Sequence, residues 1–261
     1  MTRIRLKPDT LDEENARFEQ VALPRPLFLN SVPKSGTHLL RNVMRMFVPV
    51  ADHYKATFIQ WGNLFDHLDA FDASRNMLSW GHLLFSDASA VEAAPARKII
   101  LVRDPYTWVL ARARFFVSEQ FGDNAVLVKD EGLSVDALIN LMITGIHQKS
   151  MGLKDMYMFN ALGWMGRDTT VIRYEDMVEA VKDLDSRRAE AFFMGLFDAA
   201  GLAKVPEDWR ERVRIGADRK QSGTARENLN AAAEIPDELT AQQKALVDFN
   251  APGLRALLGY Y

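Results

Sequence analysis

Three times along this chain a short apolar run gives way to a polar turn and then to apolar residues spaced three and four apart. Leu27-Phe28-Leu29 enters a turn over Asn30 to Thr37, after which Leu39, Leu40, Val43, Met44 and Phe47 recur at helix spacing. Ile99-Ile100-Leu101-Val102 is a continuous run of the kind carried by a parallel strand covered on both faces, and Asp104 and Pro105 suit the cap and first turn of a helix. Thr170-Val171-Ile172 repeats the change, with Glu175 and Asp176 at a helix start and Met177, Val178 and Val181 on its apolar face. Strand-turn-helix units at residues 27–47, 97–116 and 169–184 predict right-handed crossovers and a mostly parallel sheet with helices on both faces. The expected class is a single α/β domain over residues 23–261, preceded by a polar lead-in over 1–22 with a short helix near 12–21.

The remaining pattern fills in around these units. Ala56 to Phe71 carries Phe58, Trp61, Leu64, Phe65 and Leu68 at helical spacing, so a helix with an aromatic stripe in the core is expected, part of which could wall an acceptor pocket. Asn76 to Phe85 is a short apolar segment, expected as a strand that ends at His82. Leu133 to Trp164 is mostly helical in pattern, and its methionines and aromatics suit a core or an adaptable apolar surface. Amphipathic helices are expected over 189–202 and 208–215, and two more over 235–260. Between them, residues 218–226 form a basic stretch without strong periodicity, suited to a loop over an anion or to a solvated charge run.

Composition narrows the chemistry. The 261 residues are 48% hydrophobic and 26% charged, as in an ordinary globular chain, and the net charge of −3 argues against a broad basic surface for nucleic acid. Without cysteine there is no disulfide, no Cys-based zinc site and no thiol nucleophile. The first twenty residues are mixed in charge with no apolar core, and no apolar run reaches membrane-spanning length, so an unexported, cytoplasmic protein with no membrane span is expected.

The turn of the first unit carries the most specific chemistry. The first amides of a helix have no intrahelical partner and sit at the positive end of its dipole, where an anion is favoured. Gly36 allows close backbone approach, Ser35 and Thr37 add hydroxyls, and Lys34 adds a mobile full charge, so this turn can cradle a phosphate. The alternative is a capped helix with a solvated lysine. The order of residues differs from G-x-x-x-x-G-K-[ST], because Lys34 precedes Gly36 and no glycine lies upstream. Arg103 stands at the carboxyl end of a buried strand, where open α/β sheets bind ligands, and suits a phosphate or a partner in Asp104 or Asp176. His82 follows Gly81 at a strand end and can take a proton near neutral pH, or it is a satisfied or exposed side chain.

Pro33-Lys34-Ser35-Gly36-Thr37 resembles the 5′-phosphosulfate loop, close to PKSGTTW, of sulfotransferases that use 3′-phosphoadenosine 5′-phosphosulfate (PAPS); His38-Leu39 departs from its last two positions. Gly81-His82-Leu83 matches a GHL motif common in bacterial sulfotransferases, whose histidine is the catalytic base. Arg103-Asp104-Pro105 resembles the family's 3′-phosphate element, with Ala111 at the place of its serine. There Arg112 or Arg114 either substitutes for the missing hydroxyl or faces solvent. Arg173-Tyr174-Glu175-Asp176 resembles the RYED segment whose tyrosine lies against adenine, although a buried tyrosine paired locally fits Tyr174 equally well. Ser222 to Arg226 is similar to the segment before the RKG motif, which makes Arg226 the second arginine on the 3′-phosphate, while Glu227 and Asn228 replace the usual lysine and glycine.

The resemblance, over about residues 27–260, implies a P-loop-like α/β fold and sulfuryl transfer from PAPS to a hydroxyl or amine of a small-molecule, lipid or carbohydrate acceptor. His82 would be the base, and Lys34, Ser35, Gly36, Thr37 and His38 would hold the phosphosulfate, with Lys34 also stabilising the developing charge. Arg103, Tyr174 and Arg226 would hold the rest of the nucleotide, and no metal is required. Two rivals remain: a nucleotide-dependent phosphoryl transferase using ATP and Mg²⁺, and a nucleotide-binding protein of the same fold that has lost transfer.

Overall fold

A computed structural model describes residues 9–118, 132–222 and 234–261. Its strands are β1 Leu27–Ser31, β2 Ile59–Gln60, β3 Leu78–His82, β4 Arg97–Val102 and β5 Thr169–Arg173. They form one sheet in the order β2-β3-β1-β4-β5, with every neighbouring pair parallel. After β1 the chain builds β2 and β3 on one side, then β4 and β5 on the other. The order therefore reverses around β1, the strand that feeds the Lys34 turn, and a crevice at such a switch point is where open α/β sheets place ligands.

The described residues fall into two compact units, one within Pro8–Val102 and Phe159–Ser222, the other within Arg103–Met158 and Gly223–Tyr261. The first holds the sheet. Alternate residues of its strands, Leu27, Leu29, Leu78, Trp80, Ile99, Leu101 and Ile172, share a core with Leu40, Val43 and Met44 of the helix Thr37–Arg45. Met177, Phe193, Phe197 and Val213 enter the same core from the helices Tyr174–Lys182, Arg187–Ala200 and Trp209–Ala217. The strand period of two and the helix period of 3.6 thus bring one apolar face of each element together. On the other side of β1, Phe28 meets Phe71 edge-on at 5.3 Å. Asn30 donates to the carbonyls of Leu83 (3.0 Å) and Asn160 (3.1 Å) and accepts from the Leu83 amide (2.8 Å). Burying that amide is tolerable because three backbone groups satisfy it.

The N-terminal helix spans only Leu11–Asn15 and is tied to the end of Thr37–Arg45. Asn15 donates to the carbonyls of Arg45 (2.7 Å) and Val48 (2.8 Å), filling acceptors that a helix end leaves open. Arg45 pairs with Asp9 and with Asp12, each at 2.8 Å.

The segment from Ala56 to Phe71 differs from the expected α-helix. Ile59-Gln60 pairs with Gly81-His82 as edge strand β2, and two 3-10 turns follow, Trp61–Asp66 and Leu68–Phe71. The side chains of Gln60 and Asn63 cap each other's backbone and fix the tighter turn. At three residues per turn the stripe no longer lines up. Leu64 and Phe71 are buried, whereas Trp61 and Phe65 are 57% and 66% exposed, so most of the stripe lies outside the core.

The second unit is helical. In Pro105–Phe116 the Asp104 carboxylate accepts from the Tyr106 amide, and Arg255 pairs with it at 3.0 Å while stacking on the Tyr106 ring. Trp108, Val109, Leu138, Ile139, Met142, Ile143 and Tyr157 are buried in this unit. Arg112 and Arg114 have structural roles there. Arg112 donates to Ser150 Oγ (2.6 Å) and to the Met151 carbonyl (2.7 Å), and Arg114 to the Pro236 carbonyl (2.7 Å) and Asp237 (2.9 Å). Among the described residues no helix is long and apolar enough to cross a membrane.

Candidate active site

β1 ends at Ser31, and the turn that follows is wound tightly. Lys34 and Gly36 have φ of 72° and 96°, both left-handed. The Ser35 amide, expected in the anion cradle, closes the turn onto the Val32 carbonyl at 3.0 Å. The amides of Gly36, Thr37 and His38 find no acceptor among the described residues. The open amides therefore run from Gly36 to His38, one residue further along than Ser35 to Thr37. Ser35 Oγ is buried without a hydrogen-bond partner among those residues, which is costly for a hydroxyl unless a ligand or water serves it.

Gly36 is also required by its neighbour. A Cβ placed there would fall 2.6 Å from Cε2 of Tyr174 and closer still to Cδ2. Tyr174 opens the helix after β5, so the ring from the third strand-turn-helix unit rests on the turn of the first.

His82, the last residue of β3, points back to the same place. Its Nδ1 lies 3.1 Å from the Ser31 carbonyl and 3.1 Å from Ser31 Oγ, and Ser31 Oγ is 2.6 Å from Thr37 Oγ1. A carbonyl can only accept, so bonding to it assigns the proton to Nδ1 and leaves Nε2 as the basic nitrogen. Burial and then the charge of Lys34 hold the imidazole down at about 4, with the Ser31 carbonyl bond opposing them. Burial likewise lowers the Lys34 ammonium to about 7. His38 is held at about 3 by burial, with Arg41, Lys34 and His82 adding to it. The Phe58 ring lies between the histidines, 5.5 Å from His38 and 5.6 Å from His82. Phe58 belongs to the aromatic stripe of 56–71, whereas Ser31 is absent from the sequence candidates; its place at the end of the strand before Lys34 is the available signal.

Lys34, Ser35, Gly36, Thr37, His38, His82 and Tyr174 thus assemble within one unit. Arg103 follows the last residue of β4 and belongs to the other unit, where its Nε donates to Thr107 Oγ1 (3.0 Å) and its carbonyl accepts from the Tyr157 hydroxyl (2.6 Å). Of the two carboxylates considered as its partners, Asp104 pairs with Arg255, and Asp176 with Arg173 (2.6 Å) and Arg188 (3.1 Å). Arg226, Glu227 and Asn228 lie outside the described residues.

No family model and no curated protein matches this chain. Among solved structures it is similar to mouse sulfotransferase SULT7A1, whose crystal structure is complexed with PAP. The TM-score is 0.56 at 17% identity, over 92% of this chain and 86% of that one. A parallel five-stranded sheet flanked by helices is therefore a fold this chain shares with a sulfotransferase.

Proposed function

We propose that this chain transfers a sulfuryl group from PAPS to a hydroxyl or amine of an acceptor molecule. The observation that carries the proposal is the linkage Thr37 Oγ1, Ser31 Oγ, His82 Nδ1, which ties a histidine to the anion turn through one serine. The turn suits a phosphosulfate on three counts: open amides at Gly36 to His38, the unserved Ser35 hydroxyl and the Lys34 charge beside them. The neighbour of like fold is complexed with PAP, the nucleotide product such a transfer leaves.

PAPS, when bound, supplies an activated sulfuryl group at the turn. The chain's own residues then hold and move protons. His82 is neutral at physiological pH because its value lies near 4, so Nε2 is available to accept the acceptor's proton as that oxygen or nitrogen attacks sulfur. An anion at the turn opposes the Lys34 charge and raises the basicity of His82, bringing it closer to the range where proton transfer is efficient. Lys34 would stabilise the negative charge that develops on the bridging oxygen, and preorganised amides would add to that stabilisation without reorganising. Tyr174, whose ring rests on Gly36, is assigned to the base of the nucleotide.

Isothermal titration with adenosine 3′,5′-bisphosphate and with ATP, each with and without Mg²⁺, tests the donor. Tight, Mg²⁺-independent bisphosphate binding is expected, and a preference for Mg²⁺-ATP would replace this reading with phosphoryl transfer. His82→Ala is expected to lose turnover at least about a hundredfold while retaining bisphosphate affinity. Equal turnover in variant and parent would remove the base assignment.

A further inference from the structure

Arg41 lies one turn beyond His38 on the same face of the helix Thr37–Arg45, because residues three apart share a face. Its guanidinium stacks over Trp80 at 4.6 Å and stands 5.9 Å from the centre of Phe58, the ring that also touches His38 and His82. It makes no hydrogen bond or ion pair with any described residue, and its Nε is fully buried without a partner. The nearby carboxylates are engaged elsewhere. Asp9 is held by Arg45, and Asp12 by Arg45 and by Lys55 at 2.6 Å. Three cations, Arg41, Arg45 and Lys55, therefore face two carboxylates, and the surplus charge falls on Arg41. Burial lowers its value to about 10, and Asp9 and Asp12 oppose this without restoring it.

A guanidinium whose Nε is buried unserved against two aromatic faces, with its terminal nitrogens left within reach of solvent, is suited to receive an anion there. Aromatic stacking retains the charge but fills none of its donors. We propose that Arg41 anchors an anionic group, a carboxylate, on the acceptor, so that the sulfated molecule is an anion carrying its nucleophilic hydroxyl or amine on a ring or chain laid over Phe58. This rests on the sulfuryl-transfer reading for its chemistry, while the anion site itself stands on the geometry of Arg41. Phe58 would give the acceptor an apolar bed between the anchor and His82, and the fork of Arg41 would orient it by two parallel hydrogen bonds.

The test uses the full chain and reads the Arg41 Nε–H resonance, assigned by its loss in Arg41→Met. The probes are 4-hydroxyphenylacetate, its neutral analogue tyrosol, and inorganic phosphate, each titrated with and without adenosine 3′,5′-bisphosphate. A saturable shift with the carboxylate, at an affinity about ten- to a hundredfold above that of tyrosol, is expected. Arg41→Lys, which keeps the charge and loses the fork, should retain part of that gap, and Arg41→Met should erase it with bisphosphate affinity unchanged. Equal response to both phenols, or none to either, overturns the proposal. A response to phosphate alone overturns the acceptor assignment in favour of a free-anion site. Failure of the bisphosphate to bind, with the carboxylate response intact, counts against the transfer reading and leaves the anion site standing.

Discussion

Lys34 is set apart from a surface lysine by burial and by its left-handed backbone. Burial disfavours the charged ammonium, and its value falls to about 7. A phosphate bound beside it favours the charged form, so the bound value must be higher than the free one. Below pH 7 the lysine is charged in both states and contributes no pH dependence. Above pH 7 binding must take up a proton, and affinity for adenosine 3′,5′-bisphosphate is expected to fall by up to about tenfold per pH unit. Titration calorimetry in buffers of different ionisation enthalpy should show proton uptake at pH 8 and little at pH 6; uptake that is equal at both would assign the dependence to another group. His82 is neutral in the free chain throughout this window, and repeating the titration in His82→Ala separates any proton it takes up on binding from that of Lys34. The residue types of the turn were legible in the sequence. Which amides remain open was not, since that depends on the Ser35 amide closing onto Val32.

At the scale of elements, the site depends on two strand-turn-helix units meeting at Gly36 and Tyr174. Gly36→Ala would both place a Cβ at φ 96° and drive it into the Tyr174 ring. Strain at a left-handed non-glycine position costs about 1–2 kcal/mol and the overlap adds to it, so a loss of about 2–4 kcal/mol is expected in urea unfolding. Tyr174→Ala in the same chain should return the overlap part and leave the backbone part, and a double-mutant cycle reads the difference. If Gly36→Ala costs the same with and without Tyr174, the ring is not what demands glycine. The three strand-turn-helix units were recognisable because apolar runs and helix spacing are local signals, and the cap at Asp104 and the acidic first turn at Glu175 and Asp176 are local as well. The Trp61 stripe misled because its three-and-four spacing is compatible with two short 3-10 turns, and the competing influence, pairing of Ile59-Gln60 with β3, is non-local.

For the whole chain, binding at the turn should appear as stability. A ligand that binds only the folded state at about a hundred times its dissociation constant adds ~2.7 kcal/mol. For a chain of this size that corresponds to a rise in Tm of roughly 5–10 °C. Adenosine 3′,5′-bisphosphate is expected to give this shift in a thermal melt without Mg²⁺, and no shift at saturation would contradict a nucleotide site in the folded chain.

The amino-acid sequence by itself determined the parallel α/β sheet and the residue types of the turn after β1, because both are written in residues adjacent along the chain. It also marked His82 as the end of a strand. Only the tertiary structure decided that Ser31 joins Thr37 to His82, that Tyr174 presses on Gly36 and that the Arg41 Nε is buried without a hydrogen-bond partner. Each of these relations links side chains from separate segments, through the packing of neighbouring strands and helices, and no local pattern of apolar and polar residues encodes which donors that packing leaves unpaired.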